Sequence, residues 1–326
     1  MLEKSKPATH RPLRAKLIFN AGSGRPEESP QQLASILTEM QDQQILPEVY
    51  CVRPDSNLDA VVKAAIKSGI QLIVVAGGDG TIDSIVGTMV GVDATLGIIP
   101  TGTRNNVAFN LGITGDIHDS VALLRQGRKL KIDVGQVRCG RASHWFLEAT
   151  VLGLLSDLYP MADDFQHGDL GQIGGLLSTL ISATPSNLQM NLDGAQHMDT
   201  SAHMLVIANM PYLGPHFQIS PNVSFKDGRL DVFTFSDMTK LNMISYAMLS
   251  RGGLVEDVGI KHYSAKRITI VSDPQMPALA DGINLNQEGP LTFVIHPHAL
   301  RVIAGAQLTG QPAAAVIADA ESAPVG

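Results

Sequence analysis

Between Ala15 and about Asp133 the chain alternates short, continuously apolar runs with segments whose apolar residues recur every three to four positions, and no other feature limits its fold as much. Uninterrupted apolar runs suit strands covered on both faces, and the intervening segments supply the helices that cover them. The pattern predicts a mostly parallel sheet flanked by helices. Strands are expected at Ala15–Phe19, Glu48–Val52, Leu72–Ala76 and Thr95–Ile99. The first helix should open at Ser29, with Ser29 as its cap, Pro30 in the first helical position and Gln32 closing a capping box. Its apolar stripe is Leu33, Ile36, Leu37 and Met40. The second helix repeats that spacing with Leu58, Val61, Val62, Ala65 and Ile66 and stops at Gly69. A third, following Gly80 and Thr81, should bury Ile82, Ile85, Val86, Met89 and Val90.

Beyond Asp133 the strand-like runs are shorter and are separated by Gly, Pro and Asn, which predicts a β-rich second domain. Its expected strands are Leu130–Val137, Trp145–Val151, Leu188–Leu192, His203–Ala208, Leu230–Phe235, Ile268–Val271 and Leu291–Ile295. Helical insertions are expected near Leu154–Phe165 and Thr239–Leu249. The stretch from Gln311 to Gly326 is rich in Ala, Pro and acids without periodicity, so residues 311–326 are expected to be a disordered tail.

Bulk properties remove several classes of function. A net charge of -7 argues against wrapping nucleic acid or clinging to anionic lipid by charge alone, so no nucleic-acid partner is expected. Cys51 and Cys139 stand far apart, with no C-x-x-C pair and no histidine at metal-ligand spacing, which excludes a disulfide framework or a zinc site. The N-terminus is basic (Lys4, Lys6, Arg11, Arg14) but lacks the apolar stretch of a secretory signal, so a cytoplasmic location is expected. The apolar stretch Ile173–Ala183 falls far short of the roughly 20 residues that span a bilayer, and no transmembrane segment is expected.

Chemistry concentrates at three strand ends. The first strand runs into Asn20-Ala21-Gly22-Ser23-Gly24, the third into Gly77-Gly78-Asp79-Gly80-Thr81, and the fourth into Pro100-Thr101-Gly102-Thr103-Arg104-Asn105-Asn106. Ligands of open parallel sheets gather at such carboxyl ends. Glycines there let the backbone approach a phosphate, and the N–H groups opening the next helix offer it a positive dipole end. Asp79 stands out, because a carboxylate among phosphate-cradling amides would repel the ligand unless a cation sat between them, and this points to magnesium. Neither a Walker-A pattern nor a G-x-G-x-x-G opens the first helix, so a nucleotide would be held another way. No Gly-x-Ser-x-Gly elbow with a plausible His partner appears, which argues against serine hydrolysis.

Gly77–Thr81, preceded by the Asn20–Gly24 loop and followed by Ile99-Pro100-Thr101-Gly102-Thr103 and Asn105, resembles the catalytic domain of the diacylglycerol kinase family, shared by bacterial lipid kinases, sphingosine kinases and ceramide kinases. Asp133-Val134-Gly135, Asn209 through Gly214, Ser220-Pro221, Asp227-Gly228-Arg229-Leu230-Asp231 and Asp281-Gly282 are similar to that family's downstream motifs. The resemblance covers roughly Ala15 to Gly305. It implies an α/β N-terminal domain with a mostly parallel sheet of the NAD kinase/diacylglycerol kinase type, plus a β-sandwich C-terminal domain. The expected boundaries are 1–133 with a returning 299–310, then 134–298. It further implies an ATP-dependent lipid kinase that uses ATP and Mg2+, with the nucleotide between the domains. ATP-binding residues would be Asn20, Gly22, Ser23, Gly24, Gly77, Gly78, Gly80, Thr81, Gly102, Thr103 and Asn105. Asp281 matches the general base and Asp79 works beside the phosphates, while Asp79, Asp133 and Asp227 would hold magnesium through water. The acceptor would be a lipid presented at a membrane surface, met by peripheral contact through an apolar rim. The stretch Leu154–Ala183 is a candidate mouth for acyl chains, and a homodimer stays open.

The chain departs from that pattern twice. Asn106 stands where the family carries an aspartate, and Ile283 where it carries a glutamate beside the base, with Glu288 a candidate replacement. Arg104 occupies a variable loop position from which it could reach a phosphate. These departures keep a non-catalytic nucleotide- or lipid-binding protein of the same fold as one rival, and the shared Gly-Gly-Asp-Gly loop keeps a soluble-metabolite kinase of the NAD-kinase type as another.

Overall fold

The four apolar runs of the first half fold as strands: β1 (Leu13–Phe19), β2 (Ile45–Cys51), β3 (Leu72–Gly77) and β4 (Thr95–Pro100). The computed structural model of the chain describes residues 12–154, 156, 184–213, 218–236, 260–285 and 289–306. The expectations for Lys4, Lys6, Arg11, Gly214, Glu288, the stretches 157–183 and 239–249 and the 311–326 tail fall outside those residues. The chain divides into two units, one running to Leu130 and including Arg301–Ala306, the other spanning Lys131–Leu300.

In the first unit the strands lie side by side in the order β2-β1-β3-β4 and all pairs are parallel, with Leu17 opposite both Val49 and Val74. β3 is buried along its whole length, which is why its sequence is an unbroken apolar run. Helix α1 (Ser29–Asp42) buries Ile36 and Met40, with Leu33 and Leu37 packed against the same core as Leu17, Phe19 and Val74. Ser29 does not cap it. A 3-10 turn at Pro26–Glu28 precedes the helix, the Ser29 N–H is met by the Pro26 carbonyl, and the Ser29 hydroxyl donates to the Ala21 carbonyl at 2.6 Å. The expected cap is thereby turned into a tie to the first glycine loop.

Helix α2 (Leu58–Lys67) is capped by the Asn57 side chain, which accepts from the Ala60 N–H, and Gly69 follows it with φ +85°. Helix α3 (Asp79–Met89) starts inside the Gly-Gly-Asp-Gly loop and buries Ile82, Ile85, Val86 and Met89 as its spacing predicts. Two further helices, α4 (Asn106–Asn110) and α5 (Ile117–Gln126), were not expected. α5 carries a sequence signal in Asp116, which caps by accepting from the Asp119 N–H, and it packs Val121 and Leu124 into the core.

Asp83 on α3 is buried enough that its carboxyl is pushed up to about 6. The folded state then holds this proton more tightly than the unfolded chain does, so folding loses stability as pH rises from about 4 through 6. Asp83→Asn is expected to stabilise the protein by about 1–2 kcal/mol at pH 7 and to change little below about pH 4. Urea unfolding at the two pH values measures this, and an equal effect at both would contradict it.

The second unit is antiparallel. One sheet runs β12-β11-β10-β7-β14-β15, built from β7 (Ala149–Gly153), β10 (Met204–Ala208), β11 (Leu230–Phe235), β12 (Ile260–Ala265), β14 (Ala278–Ala280) and β15 (Ile283–Asn284). Facing it are β8 (Ser186–Leu192), β9 (Gln196–Ala202), β13 (Arg267–Asp273) and β16 (Leu291–Ala304), with β5 (Arg128–Cys139) paired to β16 and to β6 (Ala142–Phe146). Leu152, Leu205, Ile207 and Val232 from the first sheet share one core with Leu188, Met190, Ile268 and Phe293 from the second. That is the packing of a sandwich.

Three sequence readings change here. The expected strand Trp145–Val151 is two strands, β6 and β7, broken at Leu147-Glu148 for a reason given below. β9 is polar and only its last residue is buried, so apolar periodicity could not reveal it. The expected Leu291–Ile295 extends through Ala304: β16 pairs antiparallel with β13 at Val294, then places Arg301 and Val302 parallel to β4 in the first unit's sheet.

Candidate active site

At the tips of β1 and β3 the two loops are joined by one side chain. Asn20 accepts the Gly22 N–H at 3.1 Å with its amide oxygen and donates from its amide nitrogen to the Thr81 hydroxyl at 2.8 Å. Beside them opens a cavity of about 610 Å³. The glycine-loop side of its wall is Asn20, Gly22, Ser23, Gly78, Gly80 and Thr81, all expected from the sequence. Gly24, Gly77, Gly102, Thr103 and Asn105, expected with them, are not on that wall.

The glycines differ in what crowds them, and Gly78, on the cavity wall, also packs against Gly102. A Cβ on Gly80 would meet nothing within 4 Å, so its backbone is open to a ligand. A Cβ on Gly102 would lie 2.5 Å from the Gly78 Cα, and one on Gly24, at φ +68°, would lie 2.2 Å from the Thr101 carbonyl oxygen. Gly24 and Gly102 therefore serve the approach of loop to loop. Asn105 sits at φ +51° and closes its own turn, accepting the Gly102 N–H at 2.9 Å and donating to the Gly102 carbonyl at 2.7 Å.

Asp79 has a protein partner for each oxygen. Its carboxylate accepts the N–H of Asn106 and the N–H of Val107, both at 3.0 Å, and so caps α4 from across the loops. The anion that seemed to require a cation is stabilised by the end of a helix. Asn106 is 3% exposed, and its side-chain oxygen has no hydrogen-bond partner among the described residues.

The other predicted acids lie in the second unit. Asp133, 0% exposed, accepts the Gly228 N–H and the His298 N–H, each at 2.7 Å. Asp227 accepts the Arg229 N–H at 3.0 Å, and burial raises its carboxyl above the ordinary range while that bond pulls it the other way. Asp281, in the two-residue turn between β14 and β15, accepts the N–H groups of Leu147 at 2.6 Å, Glu148 at 3.1 Å and Ala149 at 3.0 Å. Those three bonds turn the chain between β6 and β7 and split the expected strand. Asp281 also lines a cleft of about 10 Å³, room for one water or hydroxyl, with Glu148, Val151, Leu213 and Leu279.

Among the described residues no group of three or more His, Cys, Asp or Glu could hold a metal ion. Each oxygen of Asp79 and of Asp133 accepts one backbone N–H, which leaves each carboxylate lone pairs that would hold a magnesium ion through its waters. The cavity wall holds a further set that glycine patterns could not reveal: Val52, Arg53, Pro54, Ser56 and Leu58 from the β2–α2 connection, and Ser84. The usable signal was positional, since that connection also leaves the carboxyl end of a strand.

A parallel α/β sheet with a cavity at its glycine-bearing strand tips, followed by an antiparallel sandwich, defines an NAD kinase/diacylglycerol kinase-like fold. Residues 14–137 match the diacylglycerol kinase catalytic domain, and residues 162–304 match the YegS C-terminal NAD kinase beta sandwich-like domain. The chain belongs to the diacylglycerol kinase catalytic-domain family. It is 28% identical to a diacylglycerol kinase of Bacillus subtilis (strain 168) over 82% of this chain and 89% of that protein. A crystal structure of a diacylglycerol kinase from Bacillus anthracis str. Sterne superposes with a TM-score of 0.68 at 21% identity, covering 90% of this chain and 97% of that one. A yeast NADH kinase shares the fold more distantly, with a TM-score of 0.53 at 10% identity, covering 96% of this chain and 89% of that one.

Proposed function

We propose that the protein is an ATP-dependent lipid kinase, transferring the γ-phosphate of ATP to the hydroxyl of a diacylglycerol-like lipid alcohol. One observation carries the nucleotide half of this reading: the cavity of about 610 Å³ is walled on one side by the tips of β1 and β3 and the first turn of α3, where a Cβ on Gly80 would meet nothing within 4 Å. Family membership carries the lipid half. Asn20, Gly22, Ser23, Gly78, Gly80 and Thr81 bind and orient the triphosphate. Gly24, Gly102 and Asn105 hold the loops together behind them, and Asp79 fixes α4 to the start of α3. Magnesium enters as part of the MgATP substrate, since this ion commonly keeps its waters and takes most of its protein-site charge from phosphates. Catalysis rests on positioning and charge neutralisation around the transferred phosphoryl group, with Asp281 placed to accept the proton of the attacking hydroxyl.

No helix among the described residues is long and apolar enough to cross a membrane. In this proposal the lipid is met by peripheral contact. The test is labelled ATP and magnesium offered with a mixed lipid extract, followed by identification of the product. The expected result is a labelled phospholipid from a lipid alcohol. Intact nucleotide binding with transfer to no lipid would favour the binding-protein reading, for which Asn106 and Ile283 speak. Phosphorylation of NAD but not of micellar lipid would favour the soluble-metabolite kinase.

A further inference from the structure

The wall of the large cavity carries one formally charged side chain, Arg53. The rest of the lining is glycine, serine, threonine, asparagine, proline, valine and leucine, with no carboxylate among them. A polyanion entering this space meets no carboxylate and a single formal positive charge on the wall.

Two features of the β2–α2 connection mark Arg53 as more than a solvated loop charge. The first is that its guanidinium makes no hydrogen bond or ion pair among the described residues, whereas the other described arginines of the first unit are engaged. Arg14 pairs with Glu48, Arg25 with Glu28 and Arg301 with Asp93. Arg125 donates to the Gln43 and Gln44 carbonyls, Arg128 donates to the Gly305 carbonyl, and Arg104 is likewise engaged. The second is that the backbone beneath Arg53 is held. The Ser56 hydroxyl oxygen accepts the Arg53 N–H at 2.8 Å and lies 3.0 Å from the Tyr50 hydroxyl, and the Ser56 N–H donates to the Arg53 carbonyl at 3.0 Å. Pro54 follows with its backbone angle φ restricted by the ring. The turn is held where it leaves the sheet, and the one charged side chain it contributes to the cavity wall has no hydrogen-bond or ion-pair partner among the described residues.

We propose that Arg53 binds the phosphate chain of the nucleotide, supplying by charge-assisted hydrogen bonds the positive charge that the glycine loops lack. This rests on the reading of the cavity as a nucleotide site, and it names a residue that no glycine motif contains. Among the residues of the cavity wall, the one formal positive charge available to phosphate is that of Arg53.

The test is calorimetric titration of the full-length wild type, Arg53→Gln and Arg53→Lys with MgATP, MgADP and adenosine. Arg53→Gln is expected to weaken MgATP by about 10- to 100-fold, the scale of a lost charge-assisted contact, and to leave adenosine nearly unchanged. MgADP should fall in between or with MgATP, and Arg53→Lys should recover part of the loss. Circular dichroism of the variants confirms folding, which Arg53 does not support through any side-chain contact among the described residues. Equal affinity of wild type and Arg53→Gln for MgATP would overturn the assignment, as would an equal loss for adenosine, which would move Arg53 to the base or ribose. A wild type that binds neither MgATP nor adenosine would instead sink the nucleotide reading itself, and this proposal with it.

Discussion

Asp133→Ala is expected to destabilise the protein by about 2–4 kcal/mol, because it strips the buried Gly228 N–H and the part-buried His298 N–H of their acceptor and leaves a small void. The Asp133 side chain is fully buried and joins three distant stretches of chain: its own strand β5, the Asp227-Gly228 turn through the Gly228 N–H, and β16 through the His298 N–H. Its backbone adds to the knot, with its N–H donating to the Phe225 carbonyl at 2.8 Å and its carbonyl accepting from the Asn209 side chain at 3.2 Å. The released Gly228 N–H is buried, so its desolvation is not recovered, whereas the His298 N–H, on an exposed residue, regains part of its loss from water. Asp133→Asn keeps the shape but turns an NH2 toward one donor, and should fall between wild type and alanine. Trp145, the single tryptophan, lies on β6 in the same unit and reports its unfolding by fluorescence in urea. A loss under about 1 kcal/mol for alanine would mean that Asp133 is not the anchor its geometry indicates.

Asp281→Asn is expected to lower phosphoryl transfer by about 100- to 1000-fold while leaving nucleotide affinity within about threefold of wild type. The glycine-loop cavity is a feature of the first unit and Asp281 belongs to the second, and a lost rate beside unchanged affinity would assign Asp281 to the transfer step. The asparagine cannot take a proton, and its NH2 would face one of three N–H groups that the carboxylate accepts from Leu147, Glu148 and Ala149. Two roles are thus combined at one residue, and a pH–rate profile separates them. If Asp281 accepts the proton, the acid limb of the profile disappears in Asp281→Asn. If it only orients the 147–149 turn, the rate falls but the limb survives. Undiminished turnover would remove Asp281 from the mechanism.

Much of the first unit was legible because burial on both faces of a parallel sheet leaves no choice of residue type. β3 and the stripe Ile82, Ile85, Val86 and Met89 follow from apolar spacing alone. The Asn20, Gly22, Gly78 and Gly80 side of the cavity was legible for a related reason, since few residues besides glycine and asparagine suit tight turns at strand tips. Where the reading missed, the deciding partner was remote in sequence. Ser29 offers a hydroxyl to Ala21 in place of its own helix, β9 shows no apolar pattern, and the Trp145–Val151 run is cut by a carboxylate more than 100 residues downstream.

Composition and periodicity determined that this chain would build a parallel α/β layer followed by a β-rich domain, and that glycine loops would cluster at strand tips. Those properties are local, set by side-chain period and by which backbone angles a residue tolerates. Only the tertiary structure decided which glycines press loop against loop, that Asp79 and Asp133 hold backbone N–H groups, and that Arg53 shares a cavity wall with the glycine loops. A polar group's role depends on which donor or acceptor it meets in space, and hydrogen-bond partners from distant strands are not written in the order of residues.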